Sequence, residues 1–299
     1  MNKPTPFSLL MSLIAKDNLR GKWKYDKFRY KYFIRFMIHP YKNIKYLQSI
    51  CDLSNISLLM DVNPTLPAKP QRPYLHKGGC FSGRAKNILM HYNFIQTLDG
   101  NTRKILSGIR NTLLAEFWGK NGSHIAIFCT PCSFDREGEL MLTLHFNGAI
   151  ITRVSFLFAD LNGCPAIFIG GLQGPDKSIG SEIMKSATRE CYGMFPRRLL
   201  CEIIGLIAEK CGLQDIFAVT EQNHVYRQFR YFYQKKGRFV ASYTECWASV
   251  GGIREGEFYR LPVRYPRKSI SDIPARKRSE YRKRYCLLDE VHFSILSRL

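Results

Sequence analysis

At 299 residues, with 45% hydrophobic and 23% charged side chains, the chain has the composition of one large or two ordinary globular domains, which excludes a disordered or collagen-like polymer. Lys and Arg number 45 against 24 Asp and Glu, a net charge of +21 that predicts attraction to anionic membrane, lipid phosphate or nucleic acid. Ten cysteines, spread singly except for Cys129 and Cys132, are too sparse for a disulfide-stapled scaffold and fit the reducing cytoplasm.

The apolar run 7–15, FSLLMSLIA, is short, has one preceding lysine and lacks a small-residue cleavage site, so it does not read as a signal peptide. No stretch approaches the ~20 apolar residues that cross a bilayer, and any contact with the inner membrane is expected to be peripheral. Residues 1–63 read as a helical region rich in basic and aromatic side chains. Phe28, Tyr32 and Phe36 share one helix face that ends at His39-Pro40, and a second helix is expected from Lys42 to about Leu59. Aromatics among lysines suit interfacial binding, but a core face with snorkelling lysines has the same pattern and is the expectation here. Pro64, Pro67, Pro70 and Pro73 predict an extended connector between that region and a main domain over 64–299.

Helices are predicted over Arg84–Ile95 and Arg103–Phe117. The period then changes to strands at His124–Thr130, Glu139–Asn147, Ile150–Ala159 and Ala166–Leu172, with Asn147-Gly148 as a strong hairpin signal. Helices Ile179–Cys191 and Pro196–Lys210, a strand Asp215–Thr220, a helix near Val225–Lys236 and a strand near Ala241–Trp247 follow. The class is α+β: a helical N-terminal region, then a mixed sheet flanked by helices. Ile273–Leu288, IPARKRSEYRKRYCLL, opens a C-terminal helix whose Tyr281, Tyr285, Leu288, His292, Ile295 and Leu299 are expected to dock on the core. Arg276, Lys277 and Arg278 crowd its N-terminus against the macrodipole, a conflict that a bound anion would relieve; a solvated face, with Glu280 paired to Arg284, is the competing reading.

Gly170, Gly171, Gln173 and Gly174 lie between a strand and a helix, where backbone N–H groups can cradle a phosphate. Glycines ending a strand in a tight turn read equally well. Cys129-Thr-Pro-Cys132 is a lone pair without the second pair that structural zinc needs, and the histidines lack metal-ligand spacing, so no metal is expected. The charge would suit nucleic acid, but no reading motif is present.

Seven stretches, in order along nearly the whole chain, resemble the VirK/YbjX family: Lys69–Leu75 (KPQRPYL), His91–Phe94 (HYNF), Ile169–Gly174 (IGGLQG), Lys185–Thr188 (KSAT), Pro196–Leu200 (PRRLL), His224–Arg227 (HVYR) and Ile273–Tyr285. The resemblance implies an accessory virulence role in the bacterial envelope: correct surface placement of an outer-membrane actin-assembly autotransporter and, in relatives, resistance to antimicrobial peptides. It brings no catalytic residues with it. The expected partner is anionic membrane lipid or an envelope protein. Separately, Leu199–Phe239 is similar to the second half of GNAT-type acyltransferases. That likeness implies an acyl-CoA cofactor, with Glu221 or His224 as general base and Tyr233 protonating the leaving thiolate. The pyrophosphate motif of those enzymes is not matched, since Arg189 to Gly193 has the wrong spacing. Glu221 as a solvated loop residue and His224 as a cap are the plainer readings.

Overall fold

A computed structural model describes residues 4–15, 20–161, 163–176, 180, 182–227 and 243–299. The N-terminal region supplies α1 (Pro6–Ile14), α2 (Asp26–Ile38), α3 (Pro40–Cys51) and α4 (Ile56–Val62). Thr5 caps α1 by accepting from the Ser8 N–H, and Pro40 opens α3 with a ring preset for the first helical turn. The single helix expected over 42–59 is therefore two, broken where Asn55 takes a left-handed φ of 59°. Trp23, Tyr32 and Phe36 are buried, with Trp23 edge-on to both Phe28 and Tyr32 at 5.0 Å, so the aromatic face is a core face.

The proline run is not an extended connector. Leu66–Ala68 closes a 3-10 turn and residues 65–70 and 72–75 are buried, because Lys69 and Arg72 reach acidic partners across the fold. Then come α5 (Phe81–Thr97) and α6 (Gly100–Leu106), the latter capped by Asp99 accepting from Thr102 N–H at 3.1 Å. The helix expected over 103–117 stops there, and Thr112–Trp118 is a strand, β1. A bulge between Leu113 and Ala115 puts both Leu114 and Ala115 in the core, which blurs the two-residue alternation that marks a strand.

The sheet continues with β2 (His124–Pro131), β3 (Leu140–Phe146), β4 (Ala149–Leu161), β5 (Cys164–Gln173), β6 (Ile216–Val219), β7 (Ile253–Glu255) and β8 (Phe258–Leu261). Among the described residues its eight strands run in the order β1-β2-β3-β4-β5-β6-β8-β7, antiparallel except for β5 and β6. Asn147 and Gly148, with φ of 48° and 83°, make the tight β3–β4 hairpin. The β5–β6 crossover carries α7 (Glu182–Glu190) and α8 (Pro196–Lys210), as a parallel pair requires. Residues 154 and 156–159 of β4 are fully buried on alternating sides, so both sheet faces are covered. α5 and α8 both pack on β4, and α3 packs in turn on α5.

Residues 243–247, expected as a strand, open a helix instead, α9 (Tyr243–Ser249), whose Tyr243 and Trp247 stack one turn apart at 5.9 Å. Of the helix expected over 225–236, Val225–Arg227 forms a 3-10 turn and the remainder lies outside the described residues. The C-terminal helix, α10 (Ala275–Arg298), packs on β1 and α8. Its buried stripe is Leu287, Leu288, Val291, Ile295 and Leu299, rotated from the expected one; Tyr281, Tyr285 and His292 are half-buried beside it.

Candidate functional site

The β2–β3 connection, which contains Asp135-Arg136-Glu137-Gly138, places three carboxylates against neighbouring elements. Asp135 accepts from Arg72 Nη1 at 2.7 Å and Lys22 Nζ at 2.6 Å, and from the Thr65 hydroxyl. Burial works against its charge, yet Arg72, Lys69 and Lys22 hold it well below the usual carboxylate range. Glu139, fully buried, accepts from Lys69 Nζ at 2.6 Å, the Tyr74 and Tyr92 hydroxyls at 2.5 and 2.6 Å, and Asn63 Nδ2 at 3.0 Å. This network ties the 64–75 segment and α5 to the sheet. Burial, reinforced by Glu139, raises both tyrosines and keeps them neutral donors.

Glu137 lies where β5 and β6 part. The two strands pair in parallel only at Ile167/Ile216, Phe168/Phe217 and Ile169/Ala218. Beyond that register a Cβ on Gly170 would come within 2.0 Å of the Glu137 carbonyl oxygen, and one on Gly171 within 2.1 Å of Glu137 Oε2. Those glycines thus make room for Glu137, and a side chain at either would collide with it. Gln173 Nε2 donates to Glu137 Oε2 at 2.5 Å, and His224 Nε2 stands 3.4 Å from Glu137 Oε1. Glu221 sits in the turn between β6 and His224, half-buried; Tyr233 lies outside the described residues. The fork is filled by α9: Tyr243 Oη accepts from Leu172 N–H at 3.4 Å, and Trp247 Nε1 donates to the Val219 carbonyl at 3.0 Å. Backbone groups of both parting strands are thereby taken by one helix.

The same helix shows its other side to a large groove. About 860 Å³ in volume, it runs between α8, α9, the 262–270 segment and α10. Among the described residues six basic side chains line it: Arg197, Arg198, Arg267, Lys268, Lys277 and Arg284. Three acids, Glu202, Glu245 and Glu280, oppose them, so the wall is net positive. Part of that charge is committed. Arg198 Nε bonds Glu202 at 2.9 Å, Arg267 pairs with Asp289, and Arg284 donates to the Tyr192 carbonyl at 2.8 Å while stacking 4.1 Å from the Tyr281 ring centroid. Lys268 and Lys277 make no ion pair among the described residues. Arg197 holds its Nε buried without a hydrogen-bond partner, and its Nη2 would lie 3.1 Å from a Cβ on Gly174.

Of the sequence-predicted anion site, then, the structure brings Lys277 into the groove and sets Gly174 beside Arg197. Arg276 stays exposed outside it, and Arg278 turns back to the Ile273 and Ser271 carbonyls. Among the described residues no cluster of three or more His, Cys, Asp or Glu could hold a metal. Burial pushes the thiols of Cys129 and Cys132 up to about 12. Arg197, Lys268, Glu137 and Glu139 were not singled out in sequence. Only Arg197, inside one of the family-like stretches, carried a signal there.

Comparison with known proteins follows the same lines. A family model described as a protein of unknown function (DUF535) matches residues 21–296. The uncharacterized protein YbjX of Escherichia coli is 32% identical over 289 residues, 95% of this chain and 87% of that protein. An uncharacterized protein of Haemophilus influenzae is 32% identical over 162 residues, 53% of this chain and 52% of its own length. Among solved structures, a cAMP-binding acyltransferase from Mycobacterium smegmatis aligns with a TM-score of 0.29 at 10% identity, covering 68% of this chain and 64% of that one; so slight a likeness carries no argument.

Proposed function

The chain belongs to the DUF535 family, with Escherichia coli YbjX among its relatives, and we propose that it is a bacterial envelope accessory protein whose cationic groove binds the phosphate-bearing head group of an anionic lipid. The observation that supports this reading is the groove itself. Among the described residues it holds two lysines without an ion pair and an arginine whose Nε lacks a hydrogen-bond partner, beside tyrosine rings, with three acids against six basic side chains. Each lysine or arginine held near an anionic surface contributes about 1 kcal/mol. No helix among the described residues is long and apolar enough to cross a membrane, and peripheral binding at the cytoplasmic face of the inner membrane is the placement that suits such a groove. From there the protein would assist surface placement of an outer-membrane autotransporter or resistance to antimicrobial peptides.

The test is cosedimentation with phosphatidylglycerol vesicles against phosphatidylcholine vesicles. Arg197→Gln, Lys268→Gln and Lys277→Gln together are expected to weaken binding to the anionic vesicles by about 100-fold, the equivalent of roughly 3 kcal/mol. The same variant should fail to restore the surface phenotype. Equal binding to both vesicle types would sink the reading.

Acyl transfer at the β5–β6 fork is the second reading, supported by a buried histidine and carboxylate where two parallel strands part. It requires α9 to leave the fork so that acyl-CoA can enter, with His224 as base. A structure or mass spectrum of the protein with bound acyl-CoA would favour it over lipid binding.

A further inference from the structure

On the N-terminal helical layer, α3 and α5 leave a second groove of about 710 Å³. Its walls are Tyr46, Phe81, Ala85, Leu89, Met90 and Phe94, an apolar lining interrupted by serine, asparagine and threonine and, among the described residues, by no acid. Phe81, Leu89 and Phe94 pack on the core with one side and stay half-buried on the other. The groove is open to solvent, so an apolar chain laid along these side chains would release water from them. The volume falls in the range of small-molecule sites.

The rim of the groove is cationic. Lys42 and Lys45 stand one turn apart on α3, exposed and without an ion-pair partner among the described residues, while Lys86 on α5 pairs with Asp160 at 2.9 Å. Two cations one helical turn apart, ~5–6 Å between their Cβ atoms, suit a compact anion. Beside the rim, α2 and α3 expose Met37, Ile38, Tyr41 and Ile44, from 45% to 76% accessible. Four exposed apolar side chains close together in sequence, with Lys42 and Lys45 among them, have the surface chemistry of a helix pair lying at a lipid interface.

We propose that the α3–α5 groove binds a long-chain fatty acid, its chain along Phe81, Leu89 and Phe94 and its carboxylate on Lys42 and Lys45. The site is separate from the cationic groove, so the two readings stand or fall independently.

Displacement of the fluorescent fatty acid cis-parinaric acid from the full-length protein tests it. Saturated acids from eight to fourteen carbons should bind one per chain, each methylene tightening binding about four-fold until the groove is filled. Tetradecanol, of equal length without the charge, should bind at least ten-fold more weakly than myristate. Lys42→Gln with Lys45→Gln should remove that difference, and Lys268→Gln with Lys277→Gln should leave probe binding unchanged. Ser82→Trp obstructs the groove's mouth from the exposed first turn of α5 and should abolish probe binding without lowering Tm; Leu89→Trp fills the groove and should abolish binding too, with some loss of Tm because Leu89 also packs on the core. Affinity independent of chain length, indifference to head-group charge, or probe binding that survives in a folded Trp variant overturns the proposal. Tighter binding of a myristoyl lysophosphatidylglycerol than of myristate overturns the free acid as the ligand.

Discussion

Glu137 and Glu139 stand two residues apart and are both buried, yet their surroundings divide them. Glu139 receives four donors, one of them the fully buried Lys69 ammonium, and so closes a network between the helical layer and the sheet. Glu137 receives the Gln173 amide and faces His224 where two strands separate. Burial alone does not say whether a carboxylate is structural. A charge held by a buried counter-charge and three further donors is locked, because removing any one partner strands the others without water. A carboxylate that receives a neutral amide loses less when that donor is removed.

The largest effect should come from breaking the locked pair. Lys69→Met leaves Glu139 buried without its cation and is expected to cost about 3–5 kcal/mol in urea unfolding, with Lys69→Met/Glu139→Gln recovering part of that loss, because the amide removes the stranded charge and keeps an acceptor for Tyr74 and Tyr92. A single variant costing under about 1 kcal/mol would erase the distinction between the two carboxylates. Glu137→Gln keeps the shape and an acceptor for Gln173, so about 1 kcal/mol is expected from the same measurement. A cost as large as that of Lys69→Met would make Glu137 structural as well.

Acid should act first on the Glu139 side. Burial, then Lys69, lowers the His91 pKa to about 3, against an ordinary value of 6.5. The unfolded chain therefore binds a proton there that the folded chain refuses, and stability falls as pH drops from about 6.5 towards 3, by up to about 1.4 kcal/mol per pH unit. Asp135, held below the usual carboxylate range, adds its own loss only below its unfolded value near 4. In urea titrations at stepped pH, His91→Gln should reduce the slope between 6 and 4, leaving the share of His76, His145 and His292, which burial also lowers, and leave the part below 4. An unchanged slope would show that His91 is not the group responsible.

Thiol chemistry gives the smallest effect, a rate and not a stability. Cys132, just before the two glutamates in the chain, is pushed up to about 12 by burial, whereas Cys80 is lowered by the Gly83 and Ser82 N–H groups at the start of α5, with Lys42 nearby. Iodoacetamide at neutral pH should label Cys80 well before Cys132 in the native protein, read by peptide mass spectrometry. Equal rates would mean that the 132–139 loop opens readily.

Local sequence signals carried much of the fold. Asn147-Gly148 forces the hairpin, Pro196 starts α8, and the periodic apolar stretches between 124 and 172 became β2 to β5 at the expected places. Each rests on backbone preferences within a few residues, which no distant contact had to supply. The basic run of α10 was legible as a cation source, but not that Lys277 would face a groove while Arg278 turned back on its own entry turn. That depends on how the helix is rotated, and burial of Leu287, Val291 and Ile295 against β1 and α8 set the rotation.

The remaining features depend on residues far apart in the chain. Nothing within a few positions of Gly170 announces that Glu137 will occupy the space beside it, or that a segment with strand composition at 243–247 will fold as a helix and fill the β5–β6 fork. Lys69, Glu139, Tyr74 and Tyr92 meet only once the 64–75 segment has closed over the sheet. By itself the sequence determined the strand and helix periods, the tight turns and the excess of positive charge, because these follow from neighbouring side chains and their backbone torsions. The tertiary structure decided which charges are neutralised in the interior and which line a groove, because an ion pair or a hollow exists only between elements that have already packed.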